Sequence, residues 1–101
     1  MSQYNPKFVE DIKSYDPALY AVANAAADTA YAEGALDVKT KLLIAMALDA
    51  VQGNQGGVGS LSAKARGAGA TEDEIREALR LAYFISGMKV VKAACGAAEQ
   101  K

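Results

Sequence analysis

The stretch Thr71-Glu72-Asp73-Glu74-Ile75-Arg76-Glu77-Ala78-Leu79-Arg80-Leu81-Ala82-Tyr83-Phe84-Ile85 decides the fold class. Thr71 followed by Glu74 is a capping box: the hydroxyl can accept the N3 amide while the glutamate reaches back to the N-cap amide. Behind it, Ile75, Ala78, Leu79, Ala82 and Ile85 recur at three- and four-residue steps. Asp73, Arg76, Glu77 and Arg80 take the opposite side, which is the period of an amphipathic helix. Glu72, Asp73, Glu74 and Glu77 fall in its first turns, where negative charge complements the helix dipole. Tyr83 and Phe84 follow the apolar stripe and are expected to pack in the core or at an interface. Gly87 is expected to break the helix, leaving Met88 to about Glu99 for a last one.

Working toward the N-terminus, the same punctuation recurs. Asn5-Pro6 and Asp16-Pro17 each read as an N-cap with proline at the first helical position. They predict a short helix to about Ser14 and a longer one to about Glu33, closed by Gly34. Leu19, Val22, Ala23, Ala26 and Ala30 give the second helix an Ala-rich face, suited to close helix approach. Asp37 caps a third helix, Val38 to about Gln52, stopped by Gly53. Apolar residues cover most of its circumference, so it is expected to be the central and most buried helix. Four glycines in Gly53–Gly59 predict a loop, followed by a helix from about Ser60 to Ala68 with Gly69 as terminator. No stretch alternates with period two. The fold class is all-α, a bundle of about five to six helices, with residues 1–15 an N-terminal helical arm and 16–101 the main domain.

At 101 residues with 51% hydrophobic and 23% charged residues, the chain is a single globular domain and not a disordered one. Alanine supplies much of the apolar count and tryptophan is absent. The core is therefore modest, and a homo-oligomer is expected to bury more. A net charge of −1 gives no electrostatic footprint for nucleic acid or an anionic membrane. The run Leu42–Leu48 is too short to span a bilayer, and Ser2-Gln3-Tyr4-Asn5-Pro6 does not read as a signal peptide. The lone Cys95 fits a reducing compartment, so the expected location is cytoplasmic.

Leu36-Asp37-Val38-Lys39-Thr40-Lys41, an apolar helix, a loop, a short helix and then Gly69-Ala70-Thr71-Glu72-Asp73-Glu74-Ile75 together resemble the carboxymuconolactone decarboxylase family, which includes the alkylhydroperoxidase D type proteins. The resemblance runs over roughly residues 16 to 97. It implies an alkylhydroperoxidase D-like helical bundle, assembled as a trimer or hexamer, and a peroxiredoxin or decarboxylase activity. The peroxidase branch carries a glutamate early in the central helix, a Cys-x-x-Cys at the start of the next, and a histidine four residues on. A dithiol at a helix N-terminus has lowered thiol pKa values, and glutamate and histidine relay protons. Peroxide oxidises one thiol to a sulfenic acid, which the second resolves to a disulfide. Counted from both anchors, these positions fall at Leu42, Asn54, Gly57 and Leu61, and none has the residue required. The decarboxylase branch looks as though it depends on a histidine here, and the chain has no histidine.

The remaining candidates are few. Cys95, in Ala93-Ala94-Cys95-Gly96-Ala97, reads first as a small buried hydrophobe. Its functional reading is a one-cysteine peroxidase with an external resolving thiol, with only Lys92 nearby for activation. Asp49 interrupts the apolar run Ile44–Val51. It reads as a general acid or base, or as a member of a polar stripe with Lys41, Ala45 and Gln52. Gly53 to Ser60 lacks the lysine of a P-loop, so the segment reads as a flexible connection. Asn54 and Gln55 are its best polar candidates for touching a small-molecule ligand. No zinc-type spacing exists, and no cofactor is expected.

Overall fold

A computed structural model describes residues 4–101. They form five helices: α1 (Lys7–Asp11), α2 (Pro17–Tyr31), α3 (Val38–Val51), α4 (Gln55–Gly67) and α5 (Glu72–Glu99). No strand occurs among the described residues, so the all-α expectation holds. The chain divides into two compact units, residues 1–36 and residues 37–101.

In the first unit, α2 starts where the sequence places it: Asp16 accepts the Leu19 amide at 3.0 Å and Pro17 stands at the first helical position. The start of α1 is shifted by one residue. Pro6 takes the cap position without a side-chain bond, because Asn5 instead donates from Nδ2 to Asn24 Oδ1 on α2, at 2.9 Å. α1 also ends at Asp11, earlier than Ser14, where the chain turns and the Asp16 amide donates to the Ile12 carbonyl at 2.8 Å. The Tyr4 and Tyr31 rings stack with centroids 4.5 Å apart, and α2 closes at Tyr31, ahead of Gly34. No residue of α2 is buried, so its Ala-rich face is exposed or half-buried.

In the second unit, α3 packs on both α4 and α5. Asp37 caps it by accepting the Thr40 amide at 2.8 Å. Among the described residues, Leu42 and Met46, one turn apart, are the two large side chains that are fully buried. Ser62 and Ala65 of α4 and Ile75 and Ala82 of α5 complete the buried set. α3 is thus central, as its sequence indicates, although Ile44, Leu48 and Val51 on its other side remain about half exposed. Lys39 Nζ lies 2.9 Å from Glu74 Oε2 and ties the first turns of α3 and α5 together.

In the second unit two boundaries differ from the sequence expectation, both at glycines. The segment expected to be a loop through Gly59 is already helix from Gln55. Asn54 caps it by accepting the Gly57 amide at 3.0 Å; each internal glycine costs only about 1 kcal/mol of helix propensity, which packing against α3 offsets. Gly53, with φ 72°, supplies the left-handed residue that ends α3. At the far end of α4, Gly69 (φ 100°) does the same. The Ala70 amide donates to the Ala65 carbonyl and the Gly69 amide to the Arg66 carbonyl, a Schellman closure. The second difference is Gly87, which does not break α5: the helix runs 28 residues through it. A lone glycine lowers propensity without removing a hydrogen bond.

The capping box of α5 is formed, with Glu74 N–H donating to Thr71 Oγ1 at 3.1 Å and Thr71 N–H to Glu74 Oε1 at 2.8 Å. By length and composition alone, α5 is one helix long and apolar enough to cross a membrane. Only eight residues, Leu81 to Met88, separate Arg80 from Lys89, against about 20 for a span free of charge.

Candidate functional site

The positions at which the resemblance places a dithiol meet at the corner between α3 and α4. The turn is tight: the Asp49 carbonyl accepts both the Gln52 and Asn54 amides, at 3.1 and 3.0 Å. This leaves the half-buried Asp49 side chain at the amino end of α4. A Cβ placed on Gly57 would lie 2.8 Å from Asp49 Cγ and 2.7 Å from Asn54 Nδ2, and would collide with Asp49 Oδ2. The carboxylate and the carboxamide therefore close over the Gly57 α-carbon, in space that any larger residue at 57 would need. Leu42, on α3, is fully buried and Leu61 is half-buried on α4.

Of the candidates read from sequence, the structure brings Asp49 and Asn54 together. Gln55 follows as the first residue of α4, and both Asn54 and Gln55 are exposed. The pairing of Asp49 with Gly57 escaped the sequence reading. Its signal was there: an Asn cap three residues before a glycine marks Gly57 as the helical residue bonded to that cap. Asp49 stands at an α4 N-terminus whose dipole favours negative charge. The same carboxylate repels any phosphate brought to these amides, so an anion cradle is disfavoured.

Cys95 does not join this corner. It is exposed, contrary to the buried small-hydrophobe expectation, and its Sγ lies 3.8 Å from the Val91 carbonyl one turn back. The reason is the unbroken α5: every residue from Met88 onward is exposed, because the helix carries this half past its packing partner α3. Tyr83 and Phe84, 82% and 58% exposed, are likewise outside the core of the chain. Among the described residues no cluster of three or more His, Cys, Asp or Glu is placed to hold a metal ion.

A second feature is a groove between α3 and α5 of about 300 Å³. Ile44, Leu48 and Val51 line one wall and Leu81 and Ile85 the other, with Thr40 the one polar residue. Asn54 and Gln55 do not line it.

Electrostatics concentrate at helix starts. The Thr40 hydroxyl first, and then the Thr40 amide, hold the Asp37 carboxyl below its usual value. Glu74 is lowered first by the Thr71 amide and then by Lys39, and Lys39 is raised by Glu74 in return. Glu72 is lowered by Arg66, whose Nε lies 2.5 Å from Oε1. These are caps and ion pairs that hold the helices in place.

No curated protein and no solved structure matches this chain. A model of the carboxymuconolactone decarboxylase family does match, over residues 17–100, which spans α2 to α5 and includes both the Asp37 cap and the Thr71–Glu74 box. With most of its length matched and an all-helical fold, the chain belongs to the carboxymuconolactone decarboxylase family.

Proposed function

We propose that this chain is a degenerate member of the family, which keeps the helical scaffold as a cytoplasmic homo-oligomer, a trimer or hexamer, and has given up dithiol peroxidase chemistry. The observation that carries the reading is the α3–α4 corner. Asn54 and Gly57 stand where the resemblance places two thiols, and Asp49 fills the space a side chain at 57 would need. Neither a carboxamide nor a bare α-carbon can act as a sulfur nucleophile. Leucines at 42 and 61 stand where the resemblance places the glutamate and the histidine that relay protons. A small-molecule pocket at this corner would be restricted to what Asn54, Gln55 and Asp49 can hydrogen-bond.

The alternative is a peroxiredoxin-like oxidoreductase acting through Cys95, and its exposure favours it. The thiolate would attack a hydroperoxide oxygen, release the alcohol and become a sulfenic acid, which an external thiol would reduce. Against it stands the lack of any activating group other than Lys92. The test is hydroperoxide consumption with excess dithiothreitol, by wild type and by Cys95→Ser and Asp49→Asn. The proposal expects all three at the rate of the reductant alone. A wild-type rate lost in Cys95→Ser would establish the alternative, and one lost only in Asp49→Asn would show acid–base chemistry at the corner.

A further inference from the structure

We propose that the apolar groove between α3 and α5 is the seat of a second copy of this chain, filled by the C-terminal half of that copy's α5; this rests on the oligomeric reading above. The helix changes its apolar face along its length. Up to Ile85 the apolar stripe (Ile75, Ala78, Ala82) looks toward α3. From Tyr83 onward a new seam begins, Tyr83, Gly87, Val90, Ala94 and Ala97, at alternating four- and three-residue steps. At 100° per residue this seam is turned roughly a third of a revolution from the first, so it cannot serve α3. Spacing of this kind is that of a helix packed along another helical surface. Within residues 37–101 it packs on nothing: every residue from Met88 onward is exposed, Val90 and Val91 at 65% and 60%.

The second unit thus presents a concave apolar groove without an occupant and a slim apolar rod without a seat, both within residues 37–101. The rod's small side chains at 94 and 97 allow close approach. Area favours association of this size. Ile44, Leu48, Val51, Leu81 and Ile85, between 46% and 62% exposed, leave on the order of 100 Å² each. That is about 500 Å² per copy and about 1,000 Å² across two, which reaches the ~1,000 Å² that a specific interface needs. It is also at the upper end of what a monomer leaves uncovered. Charge does not oppose self-association, since the chain carries a net charge of −1.

The experiment pairs one lesion in each surface: Leu48→Asp in the groove and Val90→Asp on the rod, both at exposed positions. Leu81→Lys and Val91→Asp serve as second variants should either of the first lose helicity by circular dichroism. Mass is read by size-exclusion chromatography with light scattering. The expected result is an oligomeric wild type, each variant monomeric alone, and a heterodimer on mixing the two, because one intact groove then meets one intact rod. Variants as oligomeric as wild type, or monomeric variants that stay apart on mixing, overturn this inference and leave the oligomeric reading standing. A monomeric wild type overturns both, as does a monomer that retains a small apolar molecule in native mass spectrometry.

Discussion

At the residue scale, Asp49 and Gly57 decide what the α3–α4 corner can do. Gly57 and Gly59 both lie inside α4, yet a Cβ on Gly59 meets nothing within 4 Å while one on Gly57 collides with Asp49. The same substitution should therefore behave differently two residues apart. Gly59→Ala is expected to raise unfolding stability by about 1 kcal/mol, the helix-propensity gain. Gly57→Ala forfeits that gain, because the Asp49 carboxylate and the Asn54 carboxamide must both shift, and recovers part of it in an Asp49→Ala background. Urea denaturation of the four variants measures the coupling as a double-mutant cycle; equal effects at 57 and 59 would refute it. Leu42→Ala, at a fully buried position of a very small core, is expected to lose roughly 2–5 kcal/mol by the same assay. The sequence shows that residues 42, 54, 57 and 61 lack catalytic side chains. It does not show that Asp49 occupies the gap, since that depends on where the turn after α3 aims its last carboxylate.

At the element scale, most caps and the stops at Gly53 and Gly69 were legible, and the glycines that lie inside helices were not. Asp16, Asp37 and Thr71–Glu74 act where their side-chain chemistry says they should, because a cap is a local bond between residues three apart. Gly87 and the glycines at 56, 57 and 59 misled because a helix end is set by competition: a modest propensity loss against the Asn54 cap and contacts with α3 that no local pattern records. Removing the Thr71 hydroxyl should shift stability by about 1 kcal/mol. Acid should act on the same helix starts. Asp37, Glu72 and Glu74 are lowered in the folded chain from usual values of 3.8, 4.5 and 4.5. Their stabilisation is therefore present above those values and lost as pH falls through the lowered ones. Melting temperature is expected to hold from pH 7 to about pH 5 and then fall. Glu74→Gln should flatten part of that decline, and an unchanged slope would count against the capping box and the Lys39 pair as its source.

At the scale of the whole molecule, the fold class and family follow from the sequence because helix periodicity and the two capped anchors run through most of the chain. What escaped was the exposure. Cys95 reads as a buried side chain and Tyr83 and Phe84 as core or interface residues, and in the single chain all three are exposed. Hydrophobicity says that a side chain prefers to leave water without saying whose surface will cover it. The proposed loss of dithiol chemistry is checked by steady-state hydroperoxide turnover of the unmodified protein with a thiol reductant in excess. A rate indistinguishable from the reductant alone is expected; protein-dependent turnover that scales with enzyme concentration would overturn the proposal.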